Sequence, residues 1–397
     1  MLTFKGGIKP IAHKYTKKSE SVLLPSPSYV KIHVSSGSVC VNVGDQVKIG
    51  DRLSSDNKSH ASVSGTVKEI EHSFVTIEND NKNDISDKIR PFHKRLSDAE
   101  YDDIINYIRR KGICFDGEFL AQKIEKAKDK AKVLIVSCGE TAPFLCSSYR
   151  ILAEKKKEII YGAKIVMKAL DIKKTAITLE RENKKDVAEL KKMIGDSNTF
   201  QIITHNSKYP FDHPEVIRRS FNKKYLHISE SKAKDEILVL SASEVTALYE
   251  CFKTGIPMVT RMITVDGDTV LNPGNCIVPI GTPVSDVLES CKAQISSIKD
   301  ILKGNPVSTE TVSIDGHIQK DQSALIALSS QYVSYHPDDC ISCGKCHLVC
   351  PMRLYPDILR ESGKHSSECI GCGCCSYICP ARLDFNSIYE SEANKNE

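Results

Sequence analysis

The sequence has no run of eighteen apolar residues, although hydrophobic residues make up 40% of its 397 positions. A helix that crosses a bilayer needs about 20 consecutive, mostly apolar residues, so no transmembrane segment is predicted. The N-terminus (Met1 to Gly7) also lacks the apolar region of a signal peptide. A net charge of only +4 disfavours a nucleic-acid-binding function. The length predicts two to four domains.

Cysteine, by contrast, is abundant and unevenly distributed. Nine of the sixteen cysteines lie in the last sixty residues, mostly in two C-x2-C-x2-C-x3-C-P runs that begin at Cys340 and Cys369. Two-residue spacers let the backbone wrap around one corner of an iron–sulfur cubane, and the fourth cysteine of each run ligates the other cluster in dicluster ferredoxins. The runs therefore predict two [4Fe–4S] clusters and a function in electron transfer. The predicted ligands are Cys340, Cys343, Cys346 and Cys379 for cluster 1, and Cys369, Cys372, Cys375 and Cys350 for cluster 2.

A zinc site and a disulfide framework are the two alternatives for these cysteines. Zinc ribbons usually offer paired C-x2-C units without the trailing prolines, and disulfides belong to oxidising compartments. Because clusters need a reducing interior, we expect the protein to be cytoplasmic. The extra thiol Cys374 is predicted to be a bystander. Four further cysteines without partner spacing are predicted to be core residues: Cys40, Cys251, Cys276 and Cys291.

The first ninety residues have the pattern of short strands separated by Gly-Asp turns, for example around Gly44 and Gly50. This pattern resembles the barrel-sandwich hybrid of biotinyl and lipoyl carrier domains, which modify a lysine at a hairpin tip. Lys58 lies near that place, but its neighbours Asn57 and Ser59 are polar. An unmodified docking module is therefore the favoured interpretation of residues 1–92.

Residues 95–250 alternate apolar runs with helical stretches, which predicts an α/β domain with a buried parallel sheet. A capping box at Ser97–Glu100 is predicted to open the first helix. The predicted strands are 133–136, 175–179, 201–204 and 237–240, and the predicted crossover helices are 151–170 and 185–194. Strands are expected again from about 256 to 300, followed by a polar linker over 303–335 and the cluster domain over 336–385.

These parts occur in the same order as in the RnfC family, the peripheral subunit of the Rnf ion-pumping ferredoxin:NAD oxidoreductase. The resemblance rests on Thr3–Pro10, Lys208–Pro210, Asn272–Asn275 and the two cysteine runs, and it covers nearly the whole chain. It implies that the α/β domain is similar to the flavin-binding NADH subunit of complex I. It also implies that the segment from 256 to 300 is a β-grasp (SLBB-like) domain.

The sequence departs from the family where FMN and NADH would bind. The family's glycine-rich loop is replaced by a shorter segment over 112–120, with Asp116 and Glu118 where a phosphate would lie. Acidic side chains there repel phosphate and remove the close approach of the backbone. Of the next motif Glu140 and Arg150 persist, and they are the candidate residues of a degenerate FMN/NADH site; a strand-end salt bridge is the alternative. The family's later Asn-Val-Gly-Thr is replaced by Ser241–Glu244. Weak or absent binding of FMN and NADH is therefore predicted.

Three functions are compatible with this sequence. The first is an RnfC-type subunit that relays electrons between a cytosolic donor or acceptor, such as a ferredoxin-like protein, and a partner subunit, either in the cytoplasm or peripherally on the inner face of the cell membrane. The second is a soluble electron feeder of a reductase, similar to the relatives associated with D-proline reductase. The third is a non-enzymatic scaffold with structural clusters.

The altered segments also contain Cys114, Cys138 and Cys146, which could form a redox thiol pair or simply fill the core.

Overall fold

A computed structural model describes residues 1–35, 37–115, 117–308, 310–330, 339–385 and 388–389. The strands are β1 (Ser21–Leu23), β2 (Tyr29–His33), β3 (Gln46–Val47), β4 (Gly65–Glu71), β5 (Phe74–Asn79), β6 (Cys114–Phe115), β7 (Glu118–Phe119), β8 (Val133–Ser137), β9 (Lys174–Glu180), β10 (Phe200–His205), β11 (Ile237–Ser241), β12 (Thr260–Asp266), β13 (Gly274–Pro279), β14 (Asp300–Lys303) and β15 (Ala324–Leu328). The helices are α1 (Tyr101–Arg109), α2 (Leu120–Ala127), α3 (Ser147–Glu154), α4 (Lys156–Leu170), α5 (Lys184–Ile194), α6 (Pro214–Phe221), α7 (Glu230–Glu236), α8 (Ala242–Thr254), α9 (Val284–Ser290), α10 (Lys345–Val349), α11 (Pro356–Glu361) and α12 (Cys374–Ile378).

A four-stranded parallel sheet with the order β10-β9-β8-β11 forms the centre of the α/β part. The four predicted strands lie within these four elements, so this prediction is confirmed. All five residues of β8 are buried, as expected for a central strand that is covered on both faces by helices. The carboxyl ends of β8, β9 and β10 meet at one edge, which is where α/β proteins place their sites.

The helices of the α/β part differ from prediction in two details. The capping box of α1 is formed by Glu100 and Asp103, not by Ser97, whose hydroxyl instead bonds Asp98 in a 3-10 turn. The predicted helix over 151–170 is two helices, α3 and α4, with a break at Lys155. The apolar face of α1 is buried as predicted, through Ile104, Ile105 and Ile108.

The barrel consists of the antiparallel strands β2-β5-β4-β3 around a core of β-branched residues. Alternation of buried and exposed residues along β2, with Val30 and Ile32 inside, produces this core. Lys58 is not displayed at a free hairpin tip. Its ammonium lies 5.1 Å from the Phe119 ring, and its carbonyl accepts a 2.6 Å hydrogen bond from Lys320 Nζ. This position fits a docking contact between the barrel and the rest of the chain.

A five-stranded mixed sheet, β1-β13-β12-β15-β14, follows the α/β part. It corrects the predicted linker over 303–335, because β15 lies between β12 and β14 and all its residues are buried. The first residues of the chain also contact parts beyond the barrel. Strand β1 pairs with β13, while Leu2 and Ile8 bridge to His205 and Tyr209 of the α/β part.

Within the described ranges, no helix combines the length and the apolar character that a membrane crossing requires.

Candidate iron–sulfur and flavin sites

The two cysteine runs fold into loops of the same shape, with equivalent positions 29 residues apart. Gly344 and Gly373 both adopt a left-handed conformation, with φ of +68° and +71°, and each is the N-cap of a short helix, α10 or α12. The fourth cysteines, Cys350 and Cys379, both end their helix in an extended conformation. The repeat therefore holds two equivalent sets of thiols on adjacent helices.

A small cavity in this domain is lined by the thiols predicted for cluster 2. Cys350 reaches it from the first run, beside Cys369, Cys372 and Cys375 of the second run. Burial raises the pKa of the Cys369 thiol to about 11, and the neighbouring Cys372 and Cys350 contribute to that rise. Burial also raises the pKa of Cys350 and Cys375, whereas a hydrogen bond from Cys374 lowers the pKa of Cys372. Four thiols that line one cavity are a donor set suited to an iron–sulfur cluster. The ligand assignment itself stays a prediction.

Two further features of this cavity suit a cluster. The Leu354 N–H group lies 3.3 Å from Cys350 Sγ and donates to it, an interaction that stabilises a thiolate ligand. Apolar side chains line the same cavity and reduce access of water: Met352, Leu354, Phe385 and Ile388. The extra thiol Cys374 also lines this cavity and is 1% exposed, so it lies beside the predicted ligands of cluster 2.

The thiols predicted for cluster 1 lie nearer the surface. Cys346 is buried in an apolar cluster against which Cys340 and Cys379 pack, whereas Cys343 is exposed. Cys379 of the second run therefore packs against the same apolar cluster as Cys340 of the first run, which is compatible with the predicted ligand set. Cys346 also lies within 4.8 Å of His347 and Asp357. Because His347 is hydrogen-bonded to Asp357 and the cysteine belongs to the predicted cluster, we assign no separate metal to this group.

The α/β part contacts the cluster-2 loop through Tyr209, just beyond β10. The Tyr209 hydroxyl donates a 2.7 Å hydrogen bond to the Cys372 carbonyl and accepts one of 2.5 Å from the Asn305 amide. Burial raises the pKa of Tyr209 well above its ordinary value, so the hydroxyl stays protonated and able to donate. On another side, Gly373 lies so close to Val307 that an added Cβ would be 2.1 Å from its carbonyl oxygen. The cluster-2 loop is therefore held by two other parts of the chain.

Replacing Tyr209 with phenylalanine should destabilise the protein by about 1–3 kcal/mol, because the Cys372 carbonyl and the Asn305 amide lose a buried partner. The change should lower the thermal unfolding midpoint of the reconstituted protein. Tyr161→Phe, at a tyrosine that is 51% exposed, is the matched control and should have no measurable effect. Equal unfolding midpoints for the two variants would contradict this role of Tyr209.

The segment that replaces the glycine-rich loop forms a short hairpin of β6 and β7, with Gly117 in the turn at φ +76°. Asp116, which the sequence places at the phosphate position, lies outside the described residues. Glu118 pairs with Lys126 at 2.8 Å, and Lys123 lies 4.0 Å from the same carboxylate. Lys123 also forms a 2.8 Å ion pair with Glu244, whose side chain is 4% exposed. One lysine thus connects two of the segments in which the sequence departs from the RnfC pattern.

The N-terminus of α8 is also occupied. The Glu244 carboxylate accepts from the Ser241 N–H group at 2.6 Å, and the Ser241 hydroxyl accepts from the Glu244 N–H group at 3.2 Å. This capping box uses backbone donors that would otherwise be free to bind an anion. Together with the ion pairs of Lys123, it leaves little positive potential for a phosphate.

Glu140 and Arg150 are both buried, but the structure does not pair them with each other. Glu140 accepts a 3.1 Å hydrogen bond from the Tyr149 N–H group and one of 3.3 Å from the Ser147 hydroxyl, so it caps α3. Arg150 forms an i,i+4 ion pair with Glu154 at 2.5 Å. The alternative of a strand-end salt bridge between the two is therefore wrong, and each has a structural role in this conformation.

Lys14 is a residue of this site that the sequence did not reveal. Its ammonium donates to the carbonyl groups of Glu140 and Ala142 at 2.9 and 2.6 Å, and also to that of Leu145. Burial raises the pKa of Glu140, while the charge of Lys14 opposes that shift. Lys14 is 126 residues away from Glu140, and no local pattern could have paired them.

The three cysteines of the altered segments are buried. Burial raises the pKa of the Cys146 thiol to about 11, and the pKa of Cys138 also lies above its ordinary value. Thiols that remain protonated are poor nucleophiles, which favours a packing role over a redox pair. A different thiol pair is present in the part that contains the five-stranded sheet, where Cys276 Sγ and Cys291 Sγ are 3.7 Å apart. Both are core residues, as predicted, and Cys251 is buried as well, whereas the prediction for Cys40 is wrong because this residue is exposed.

Three family models match successive parts of the chain. The RnfC barrel sandwich hybrid domain matches residues 2–86, the Nuo51 FMN-binding domain matches residues 116–249, and a 4Fe-4S dicluster domain matches residues 332–380. The NAD+-reducing [NiFe]-hydrogenase in its air-oxidised crystal structure is 12% identical, with a TM-score of 0.49 over 69% of this chain and 56% of that chain.

Curated relatives match nearly the whole chain. The C subunit of the Na+-translocating ferredoxin:NAD+ oxidoreductase complex of Acetobacterium woodii is 28% identical, over 89% of this chain and 86% of the relative. The corresponding subunit of the proton-translocating complex of Clostridium ljungdahlii is 26% identical, over 91% of this chain and 84% of the relative. With all three domain matches in the same order, the chain is similar to RnfC subunits over nearly its whole length.

Proposed function

We propose that this protein is the electron-relay subunit of an RnfC-type oxidoreductase. It would pass electrons through two [4Fe–4S] clusters between a cytosolic donor or acceptor and a partner subunit. The observation that carries this proposal is the paired cysteine loops, in which Cys350 of the first run lines one cavity with three cysteines of the second run. Such clusters exchange single electrons, usually at low potential when all ligands are thiolates.

The surroundings of the two predicted clusters indicate which cluster a partner protein could approach. The cluster-2 loop contacts the α/β part through Tyr209, whereas Cys343 of the predicted cluster 1 is exposed. A partner protein could therefore approach cluster 1 more closely than cluster 2. Close approach matters because an electron must pass directly between the donor and the acceptor.

Reductive titration of anaerobically purified protein tests the relay. We expect two one-electron signals at low potential by electron paramagnetic resonance, both restored on reoxidation. Reduced ferredoxin should reduce the protein as dithionite does. Clusters that stay silent across the whole titration would contradict a relay and favour a scaffold in which they are structural.

The partner and the place of action form a finer proposal. The relatives are subunits of ion-translocating complexes, which supports docking to other Rnf subunits at the membrane. The altered flavin segments favour a second candidate, a soluble feeder of a reductase that does not use NADH. Fractionation of the native cells separates the two. Recovery with washed membranes supports the Rnf complex, whereas recovery with a soluble reductase overturns it in favour of the second candidate.

A further inference from the structure

A cavity of about 790 Å³ lies between the barrel and the α/β part. Barrel residues around Gly50, the segment that follows β5 near Arg90, the C-terminal end of α1 and the turn at Gly255 form its walls. None of the described residues within 112–120, and none of Glu140, Arg150 or Ser241–Glu244, lines it, so it is separate from the degenerate flavin site. Its volume is typical of sites for small organic ligands, which measure about 300–1,000 Å³.

The walls of this cavity are strongly basic. Two aspartates line it, and both are engaged: Asp45 accepts from the Asn42 N–H group at 2.8 Å, and Asp51 accepts from the Ser86 hydroxyl at 2.6 Å. The cationic residues on the walls are Arg52, Lys88, Arg90, Arg110 and Lys111. Lys88 lies 4.0 Å from Asp51, and the other four form no ion pair with a carboxylate of any described residue. The cavity therefore has an excess of unneutralised positive charge.

Lys111 is the most unusual of these cations because its side chain is buried. The residue is 8% exposed, and its ammonium contacts the Gly255 carbonyl at 2.5 Å and the Tyr107 ring at 4.4 Å. Burial lowers the pKa of Lys111 below its ordinary value. An ammonium without a counter-ion in such a place is costly, and a bound anion would offset that cost.

The position of Lys111 at the end of α1 offers a second explanation. Cations near a helix C-terminus are stabilised by the helix dipole, and Arg110 Nε does bond the Asn106 carbonyl at 3.0 Å. That explanation does not extend to Arg52 and Arg90, which come from outside the helix. Arg90 is fixed by the carbonyl groups of Asp87 and Ile89, which accept from its Nη1 at 2.5 and 2.7 Å, and its other guanidinium nitrogens remain available to a ligand.

His60 adds a neutral contact to the same cavity. It is 6% exposed, and its Nδ1 atom has no hydrogen-bond partner among the described residues. Burial lowers the pKa of His60 to about 3, so the ring is uncharged at neutral pH. An uncharged imidazole with a free lone pair can accept a hydrogen bond from a hydroxyl or amino group of a ligand.

We propose that this cavity binds a phosphate-bearing organic anion of nucleotide size. Arginine is suited to phosphate because its planar donors bond two oxygens at once, and Arg52, Arg90 and Arg110 bring three such groups to one opening. Lys111 would supply a buried point charge, and His60 would contact the organic part. The site does not depend on the iron–sulfur clusters or on the proposed relay function.

Calorimetric titration of the full-length, cluster-loaded protein with ADP and with pyrophosphate tests the site. Both probes should bind with saturation at one per chain. The variant Arg52→Gln/Arg90→Gln should weaken both by at least about tenfold, because it removes charge-assisted contacts at two positions outside the buried core. His60→Phe should weaken ADP more than pyrophosphate.

A variant with the same change of charge serves as the control. Lys174→Gln/Arg181→Gln alters two exposed residues that do not line the cavity, and its affinities should equal those of the wild type. Absence of saturable binding to the wild type would overturn the proposal. Equal weakening by the control would also overturn it, since binding would then follow net charge alone. Binding of polyglutamate without binding of ADP or pyrophosphate would overturn it as well, because it would indicate a surface for an acidic protein.

Discussion

Replacing Cys350 with alanine should lower the iron content of anaerobically purified protein from about eight to about four atoms per chain, because one [4Fe–4S] cluster loses a thiolate. The cluster that is lost should be the one held by Cys369, Cys372 and Cys375, although Cys350 belongs to the other run. Iron and acid-labile sulfide analysis measures the loss. Cys40→Ala, at an exposed cysteine outside both runs, is the control and should retain the full iron content.

Comparison of four single variants identifies which cluster is lost. If the ligands cross, the Cys350→Ala variant should have the same electron paramagnetic resonance spectrum as Cys369→Ala. By the same argument, Cys379→Ala should match Cys346→Ala. Pairing within each run, with Cys350→Ala matching Cys346→Ala instead, would refute the crossing. An iron content of about four in the wild type would mean that one run is vestigial.

The parts of this fold that could be predicted from sequence are those with a local pattern. Buried parallel strands appear as continuous apolar runs, which is why the sequence predicts β8 to β11. The cysteine runs carry their geometry in their spacing, and the folded loops repeat it residue for residue. Both patterns reflect short-range constraints that a sequence displays directly.

The predictions are wrong mainly where long-range contacts decide the structure. Strand β15 follows a polar, irregular stretch, and its place beside β12 depends on residues about 60 positions away. Strand β1 pairs with β13 across some 250 residues. The capping of α1 by Glu100 instead of Ser97 is a local error of a different kind, since a glutamate is an uncommon N-cap residue.

The candidate flavin site shows the same limit. The sequence indicates that acidic residues replace the phosphate loop, but not where their charges are neutralised. Lys123 bridges Glu118 and Glu244, which are 126 positions apart in the chain. In the sequence, the changes at 112–120 and at Ser241–Glu244 look like two separate losses of phosphate-binding residues. In the structure, ion pairs and a capping box connect the two segments and occupy the place of the phosphate.

The ion pairs of Lys123 also determine what we expect for the flavin. The FMN phosphate is a dianion, and an intact family loop would offer it several N–H donors. Here the Glu118 and Glu244 carboxylates and the α8 capping box stand in that region, and the hairpin is short. We therefore expect the purified protein to contain less than about 0.1 FMN per chain, because carboxylates repel phosphate. It should not oxidise NADH with a dye acceptor.

The same sample supplies its own control, since it should contain the full iron content and should accept electrons from dithionite. A glycine-rich loop in place of residues 112–120 should not restore flavin binding by itself, because Glu244 would still occupy the N-terminus of α8. Combined with Glu244→Thr, the new loop should give weak binding, measurable by quenching of FMN fluorescence. If the wild type instead carries one tightly bound flavin that NADH bleaches, then the ion pairs of Lys123 must open to admit it, and the chain is an NADH-facing subunit.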